Sequence, residues 1–511
     1  MTNAFVLPRK LIIFGIVVPL AAVLGYVLAS PDELNTILVV SGLLAALAFP
    51  VLLRWHHPLL IFTWNAAFNI FLLPGQPALW MAMAAASLFF LILNRAMGRQ
   101  TQTGAYINVP AITWPLVILV ILILITAKLT GGIGLRSFGG GTFGGKSYFY
   151  ILFAIAGYFA LSSQRIPTKR RMLYVSLYFL SGLTAVLSNL AYAAGPNFYW
   201  VFLLLPVDTI THQVAADYSL NQDTLERLTG LTAAALAGFT YLMARYGIKG
   251  IFTFSRPWRI VAFIAVIIAS LFGGFRSIVI IFGLTFAIQF FLEGLFRTRL
   301  FPILVASTLA LSLLILPNSQ RLPRTIQRVF SFLPLELDPL VKADAQASLE
   351  WRLEMWRVLM PEVGKHLYRG KGFSINPTDL YLAEESTRRG LSKNYESAII
   401  AGDYHNGPIS ILIPFGIYGL AVFIWFLIAA LWALRRNYLY GEPALKCVNT
   451  FLFAYFIMRI VFFFVFFGGF VIELYHLAGL LGLSVSLNSG VRKPSDAQDT
   501  ALSPAAVPAR A

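Results

Sequence analysis

Two arginines and one histidine are of the types that phosphate binding and proton transfer require. Arg276 lies in the stretch GGFRS, immediately before an apolar run that predicts a membrane-spanning helix. The positive end of that helix's dipole would lie beside the guanidinium, and free N–H groups next to an arginine form an anion site. The alternative interpretation is an interfacial arginine whose side chain reaches toward water.

The second arginine, Arg352, lies in SLEWRLEMWRVLMPE, a stretch with helical periodicity. Its predicted apolar stripe consists of Leu349, Leu353, Trp356 and Met360. Arg352 points with Trp356 and Leu359, away from the glutamates of the same segment, and therefore needs a partner from elsewhere, such as a ligand. The alternative is a cation–π contact with Trp356 at i+4. Arg357 has Glu354 as its i+3 neighbour, which predicts an ordinary solvated face.

The histidine, His405, opens the stretch HNGPISILIPFGIYG. Pro408 fits the first turn of a helix, with Asn406 or Gly407 as its cap. His405 then lies at the positive end of the helix dipole, which favours a neutral imidazole that can accept a proton from a hydroxyl. A loop histidine without a chemical role is the alternative.

The stretch GGTFGGKS, residues 140–147, matches the pattern of a nucleotide-binding loop. Such a loop joins a buried strand to a helix in an α/β unit and needs cytosolic nucleotide, and the surrounding sequence predicts neither. We therefore expect no nucleotide ligand. Lys146, together with Arg136, remains a candidate contact for a phosphate group at the outer membrane surface, and a solvated glycine-rich loop is the alternative.

Composition predicts an all-α polytopic membrane protein. Of the 511 residues, 58% are hydrophobic and 12% are charged, with a mean hydropathy of +0.75, whereas soluble domains have about 25% charged residues. The apolar runs predict fourteen membrane spans, twelve to fourteen allowing for uncertain ends: 11–29, 35–53, 59–73, 78–94, 111–128, 147–163, 172–190, 229–244, 258–272, 276–293, 300–316, 409–434, 447–468 and 470–487.

Most of the formal net charge of +17 lies in alternate short loops, so it indicates orientation and not nucleic-acid binding. These loops carry Arg9, Lys10, Arg54, Arg95, Arg99, Arg165, Lys169, Arg170, Arg171, Arg245, Lys249, Arg256, Arg259, Arg297, Arg299, Arg435, Arg436, Lys446, Arg492 and Lys493. The positive-inside rule places both termini in the cytoplasm. The predicted organisation is a membrane bundle at 1–316, a large periplasmic loop at 317–408, further spans at 409–488 and a disordered cytoplasmic tail at 489–511.

Metal and disulfide chemistry have little support in the sequence. Cys447 is the single cysteine, and neither an HExxH motif nor a DxD cluster occurs. We therefore expect no metal and no cofactor. Arg459, Glu473 and His476 predict a polar cluster inside the last spans, either lining a cavity or forming a structural pair between Glu473 and Arg459.

The histidine stretch has the spacing H-N-x₉-G-x-x-G, with His405, Asn406, Gly416 and Gly419. This resembles the histidine motif of bacterial O-antigen ligases and the related O-antigen polymerases. That family also has one arginine at an outer helix end and another in the large loop before the histidine, the places of Arg276 and Arg352. YRGKGFS resembles the glycine-rich stretch that follows the second arginine. The similarity covers roughly residues 255–435, and the predicted number of spans exceeds that usual in ligases.

The resemblance implies a metal-independent inverting glycosyltransferase of the bacterial inner membrane. Its donor would be a polyprenyl-diphosphate-linked glycan and its acceptor a glycan or glycolipid hydroxyl, in surface-polysaccharide or lipopolysaccharide assembly. Arg276 and Arg352 would bind the diphosphate, with Asn406 of the histidine motif as a further substrate-binding residue. Lys146 lies outside the resemblance and is a candidate substrate-binding residue from its own loop. His405 would orient or deprotonate the acceptor.

Two interpretations from other functional classes remain. A lipid-linked glycan flippase would need polar residues along a route through many spans, and the first twelve predicted spans are nearly free of charge. A non-catalytic subunit of a polysaccharide export complex would not need Arg276, Arg352 and His405 to converge. The choice between ligase and polymerase stays open.

Overall fold

Helices make up the ordered architecture of the protein. The computed structural model describes residues 34–73, 75–96, 107–134, 143–206, 227–389 and 395–495, together with Val18, Ala21 and Gly25. Within these ranges there is no strand, and the only β-pairing consists of two isolated bridges, Asn69 with Ala78 and Phe143 with Ile375. The predicted tail after residue 495 lies outside the described residues, as does almost all of the predicted span 11–29.

The α-helices of these ranges run in the following order. They are α1 (Leu34–Asn65), α2 (Leu79–Ala96), α3 (Pro110–Thr130), α4 (Gly145–Ser162), α5 (Arg171–Leu180), α6 (Val186–Ala194), α7 (Thr229–Ile251), α8 (Trp258–Phe272), α9 (Arg276–Leu292), α10 (Leu300–Ile315), α11 (Arg324–Val329), α12 (Pro339–His366), α13 (Pro377–Arg388), α14 (Tyr395–Ala401), α15 (Ile409–Tyr440), α16 (Lys446–Val461) and α17 (Phe470–Leu487). A π-helical turn, Phe462–Phe466, extends α16.

Several of these helices have the length and composition of membrane spans. Among the described residues, seven helical stretches are long and apolar enough to cross a bilayer, and α8 and α9 are shorter apolar helices. The seven are Leu79–Ala96, Pro110–Thr130, Thr168–Ala194, Leu300–Arg321, Ile409–Tyr440, Pro443–Phe466 and Phe470–Leu487. The protein is therefore an all-α polytopic membrane protein, and the total of fourteen spans stays a prediction.

Two predicted spans near the N-terminus form one continuous helix in the structure. The sequence predicts spans at 35–53 and 59–73 with Arg54 in the loop between them, but α1 continues as one helix to Asn65. His56 and His57 lie within the helix and are buried, and each ring has a hydrogen-bond partner on another helix. The His56 Nδ1 pairs with Ser87 Oγ at 2.9 Å, and the His57 Nε2 pairs with the Leu161 carbonyl at 2.9 Å. These contacts keep the polar segment inside the bundle.

The core is packed around Trp64 near the end of α1. Its indole stacks on the ring of Tyr475, with centroids 5.1 Å apart. Gly157 and Gly479 allow this packing, because a Cβ at either position would lie 2.3 or 2.0 Å from the indole. Close approach of small residues is a usual means of packing helices within a membrane.

The polar cluster in the last spans is an ion pair. Arg459 donates to both carboxylate oxygens of Glu473, at 2.9 and 2.6 Å, and both side chains are buried. His476 instead lines a cavity of about 220 Å³ together with Asn65 and Thr240. Each of the two alternatives from the sequence therefore describes part of the cluster.

Loops rich in arginine and lysine meet at one end of the bundle, here called the basic end. Glu442 accepts hydrogen bonds from Arg171 and Arg492, joining three of the predicted basic loops. Glu293 accepts from the backbone N–H groups of Ile248 and Lys249 and caps the helix that restarts after Gly247.

The opposite end, here called the site end, holds residues 324–408. The backbone groups of Phe143 and Ile375 pair there at 2.8 and 2.7 Å, so the glycine-rich loop and the predicted large loop lie together. Basic and site segments thus separate as the charge alternation predicts.

A break in α15 anchors the site end to the bundle. Gly416 has φ 66° and ψ −166°, and Pro414 lies two residues before it. The freed backbone groups pair with residues 367–372: Lys371 donates to the Ile413 carbonyl at 2.7 Å, Gly372 to Pro414 at 3.0 Å, and Ile417 to Leu367 at 2.7 Å. Non-helical backbone at membrane depth is tolerated where protein groups satisfy it in this way.

We expect the site end to face outward, because the basic end carries the positive loops. In a Cys447→Ser background, Thr378→Cys at the site end should react with a membrane-impermeant thiol reagent in intact spheroplasts. Ser255→Cys at the basic end should react only after the membrane is opened. The reverse pattern would invert the orientation.

Gly370 should be sensitive to substitution, because it has φ +72° and an added Cβ would lie 2.4 Å from the Pro414 oxygen. We expect Gly370→Ala to lower stability by about 1–3 kcal/mol, the usual cost of such strain. Thermal denaturation of the purified protein measures it. Gly364→Ala is the control, because an added Cβ at this position inside α12 would have open space around it. Equal losses of stability in the two variants would contradict the close packing of Gly370 against Pro414.

Candidate functional site

Four structural elements bring charged and titratable side chains together at the site end. They are the turn between α8 and α9, the short helix α11, the amphipathic helix α12, and the turn before α15. These elements supply Arg276, Arg328, Arg352 and His405, respectively. Arg328 bonds both to the turn before Arg276, through the Gly274 carbonyl, and to α12, through Asp344. Arg352 and His405 both contact the ring of Phe467, so the site end brings the three residues predicted from the sequence into one region.

Arg276 is placed by a tight turn. Gly274 has φ +74°, and Leu228 donates from its backbone N–H to the Gly273 carbonyl at 3.3 Å. Arg276 is the first residue of α9, and no side chain caps the N–H groups of that helix. The half-buried guanidinium makes neither a hydrogen bond nor an ion pair with any described residue. It therefore lies beside open backbone donors, as the sequence predicts.

Arg328 is a site residue that the sequence interpretation missed. Its side chain is 4% exposed. Its Nε donates to Asp344 Oδ2 at 2.6 Å, and its Nη1 donates to the Gly274 carbonyl at 2.8 Å. These bonds tie α11 to α12 and to the turn that carries Arg276. No motif marks Arg328, because both partners are distant in the chain.

Asp344 is shared by a second arginine. Arg227 lies with its Nη2 3.5 Å from Asp344 Oδ1. Burial, followed by the charge of Arg328, lowers the pKa of Arg227 to about 10, and Asp344 acts in the opposite direction. Burial likewise lowers the pKa of Arg352, and Arg328 lowers it further. The arginine cluster (Arg227, Arg276, Arg328 and Arg352) is therefore positive and partly desolvated.

Arg352 lies on the packed side of α12, as predicted from its direction. Met355 and Leu359 are buried there beneath α14 and α15. The aromatic contact of Arg352 is with Phe467 and not with Trp356, the alternative from the sequence: the Arg352 Cζ lies 5.8 Å from the Phe467 ring centroid. The Trp356 indole instead donates to the Tyr404 carbonyl at 2.9 Å.

The predicted apolar stripe of α12 is largely exposed. Leu349, Leu353 and Met360 are 54%, 50% and 63% exposed. The face that packs is set by contacts with α14 and α15, which periodicity along α12 alone does not identify. Arg357 is exposed, as expected for a solvated face.

His405 is enclosed by aromatic rings. Its ring centroid lies 5.1 Å from Trp351 and 5.0 Å from Phe467, and its φ of +50° is unusual for a residue other than glycine. Nε2 lies 3.5 Å from Asp403 Oδ2, whereas Nδ1 is buried and has no hydrogen-bond partner within the described ranges. Burial lowers the pKa of His405, Asp403 opposes this, and Arg352 adds to it. The imidazole is therefore favoured in its neutral form.

Asn406 and Gly407 shape the turn that holds His405. The Asn406 Oδ1 accepts from the Ile409 N–H at 3.1 Å and caps α15. A Cβ on Gly407 would lie 2.2 Å from the Phe463 carbonyl oxygen, so only glycine fits against the π-helical turn. The predicted substrate contact of Asn406 stays a prediction, and its amide NH₂ is the group left for it.

Lys146 lies in the first turn of α4 and is exposed. Its charge is not among those that act on Arg276, Arg352 or His405. Phe143, just before it, forms an isolated bridge with Ile375 and does not end a buried strand. The structure thus places Lys146 on the site end without joining it to the arginine cluster, and Arg136 lies outside the described residues.

Metal ligands are not grouped in the part of the chain that the structure describes. No three or more His, Cys, Asp and Glu side chains there are placed to hold an ion. The arginine cluster supplies partly desolvated positive charge at the site end. The arrangement can bind an anion with guanidinium groups and accept a proton on a nearby imidazole.

The charge of Asp403 should be measurable at His405. Because the carboxylate favours the protonated ring, Asp403→Asn should lower the pKa of His405 further. NMR titration of the ring resonances measures this shift. Asp379→Asn, an equal charge change on α13, is the control and should leave the His405 resonance unchanged. A higher pKa in Asp403→Asn would contradict the pairing.

The chain was also compared with known proteins. The sequence matches no protein-family model and no curated protein.

Proposed function

We propose that the protein transfers a glycan from a polyprenyl-diphosphate donor to an acceptor hydroxyl, as in O-antigen ligases and polymerases. The observation that carries this proposal is the convergence of Arg276, Arg328, Arg352 and His405 on one end of a membrane bundle, through the bonds of Arg328 and the shared contact with Phe467. The end of a membrane bundle is accessible both to a lipid diphosphate held in the bilayer and to an acceptor beside the membrane. We further propose that this surface is the outer face of the bacterial inner membrane.

The arginines suit the donor's leaving group. Arg276 and Arg352 have no ion-pair partner among the described residues, whereas Arg328 is held by Asp344. Guanidinium forks match phosphate oxygens in bidentate geometry. As the bond from the anomeric carbon to the diphosphate oxygen breaks, its electron pair stays on the diphosphate. A preformed, partly desolvated positive cluster stabilises that developing charge.

His405 suits the acceptor. The acceptor oxygen forms the new bond at the anomeric carbon, and its proton passes to a neutral imidazole nitrogen. Asp403 lies beside Nε2 and can hold a proton there, which leaves the Nδ1 lone pair as the base. Because Nδ1 is buried between Trp351 and Phe467, the acceptor must displace part of this aromatic wall to reach it.

Purified protein reconstituted with a polyprenyl-diphosphate glycan and its acceptor tests the proposal. His405→Ala should reduce the transfer rate by roughly 10²–10⁴-fold, the usual contribution of a positioned base. Arg276→Lys or Arg352→Lys keeps the charge but loses the fork, so each should reduce transfer by roughly 10- to 100-fold.

Two variants from the same region serve as matched controls. His366→Ala and Arg357→Ala change residues of α12 outside the site and should retain most activity. If His366→Ala and His405→Ala had equal activity at matched membrane levels, His405 would have no role as base. The glycans of a deletion strain then separate the subclasses, since single lipid-linked units indicate a polymerase and full-length lipid-linked chains a ligase.

A further inference from the structure

A groove lies at the basic end, far from the arginine cluster. It has a volume of about 630 Å³ and lies between the C-terminal part of α15 and the facing side of α16. Leu431, Leu439, Phe453 and Ile457 give it apolar walls, and Arg435 and Arg436 lie at its rim. Nothing in the proposed transfer reaction uses this groove.

The groove faces away from the packed bundle. On α15, Ala430, Ala433 and Leu434 are buried, whereas Trp432 and Leu439 are 43% and 45% exposed. In a membrane-spanning helix, an exposed apolar face contacts lipid. The walls of the groove are therefore suited to an acyl chain.

Arg435 and Arg436 directly follow the apolar part of α15, where a helix that crosses the bilayer reaches the lipid headgroups. The Arg436 Cζ lies 5.1 Å from the Trp432 ring centroid, and tryptophan favours the membrane–water interface. A guanidinium at this depth is positioned to meet a phosphate.

No carboxylate among the described residues pairs with Arg435 or Arg436. Glu442, the acidic residue that follows α15, already accepts hydrogen bonds from Arg171 and Arg492. The positive charge at the rim is thus uncompensated within the described chain. Basic pockets between membrane helices on the cytoplasmic side are known to take anionic lipid headgroups.

We propose that this groove binds an anionic phospholipid. The headgroup phosphate lies against Arg435 and Arg436, and one acyl chain runs along Leu431, Phe453 and Ile457. The apolar walls favour a lipid over a free phosphate, because a soluble anion would gain nothing from them.

Lipid titration of delipidated protein, followed by native mass spectrometry and thermal denaturation, tests the proposal. Phosphatidylglycerol should bind and stabilise the protein more than phosphatidylcholine of the same chains. An Arg435→Gln/Arg436→Gln double variant should bind phosphatidylglycerol about 25-fold more weakly, since each basic residue near the headgroups contributes about fivefold. An Arg297→Gln/Arg299→Gln double variant, also at the basic end, should bind it as the unmodified protein does.

A groove-filling variant and a soluble phosphate distinguish lipid binding in the groove from binding of a phosphate group by the arginines alone. Leu439→Trp fills the groove but keeps both charges, and it should also weaken phosphatidylglycerol binding. Glycerol 3-phosphate should give no comparable stabilisation. Equal binding of the two lipids, unchanged binding by the Arg435→Gln/Arg436→Gln variant, or full stabilisation by glycerol 3-phosphate would overturn the proposal.

Discussion

The buried guanidinium of Arg328 is the interaction on which the site end depends. A charge with so little exposure is stable only when it is paired and hydrogen-bonded. Asp344 supplies the charge, and the Gly274 carbonyl supplies the second acceptor. These two partners come from α12 and from the turn before α9, so satisfying one side chain fixes two elements relative to each other. Arg276 and Arg352 are carried by those same two elements, and their separation follows from the pairing.

A second constraint comes from the backbone. Pro414 and Gly416 interrupt α15, and each freed backbone group at membrane depth must find a partner. Residues 367–372 supply these partners, and residues 373–375 continue to Tyr148 and Phe143. The backbone of the stretch YRGKGFS and its flanking residues thus joins α15 to the glycine-rich loop by hydrogen bonds. Its glycines are required because a Cβ at Gly370 or Gly372 would overlap neighbouring atoms.

Much of the fold could be predicted because hydrophobic runs and charge alternation are local properties. The predicted bounds 258–272 and 470–487 coincide with α8 and α17. Arg276 and His405 were identifiable for the same reason, since each precedes a span. The continuation of α1 was not predictable, because it depends on contacts of His56 and His57 with other helices. Arg328 was missed because its acceptors, Asp344 and Gly274, are 16 and 54 residues away. The low pKa of His405 was expected from a helix end, whereas burial is its main cause.

The break at Gly416 divides α15 into a short and a long helical segment, which have different packing partners. In the short segment 409–415, the carbonyls of residues 413 and 414 accept hydrogen bonds from the backbone N–H groups of residues 371 and 372. The Ser410 hydroxyl in the same segment accepts from the Phe470 N–H at the start of α17, at 2.9 Å. The long segment after Gly416 belongs to the membrane bundle. His405 precedes the short segment and is carried by it. The break therefore lets one continuous helix change direction between the membrane bundle and the turn of His405, while the bonds of Ile417 to Leu367 and of Phe470 to Ser410 keep that turn fixed against the spans.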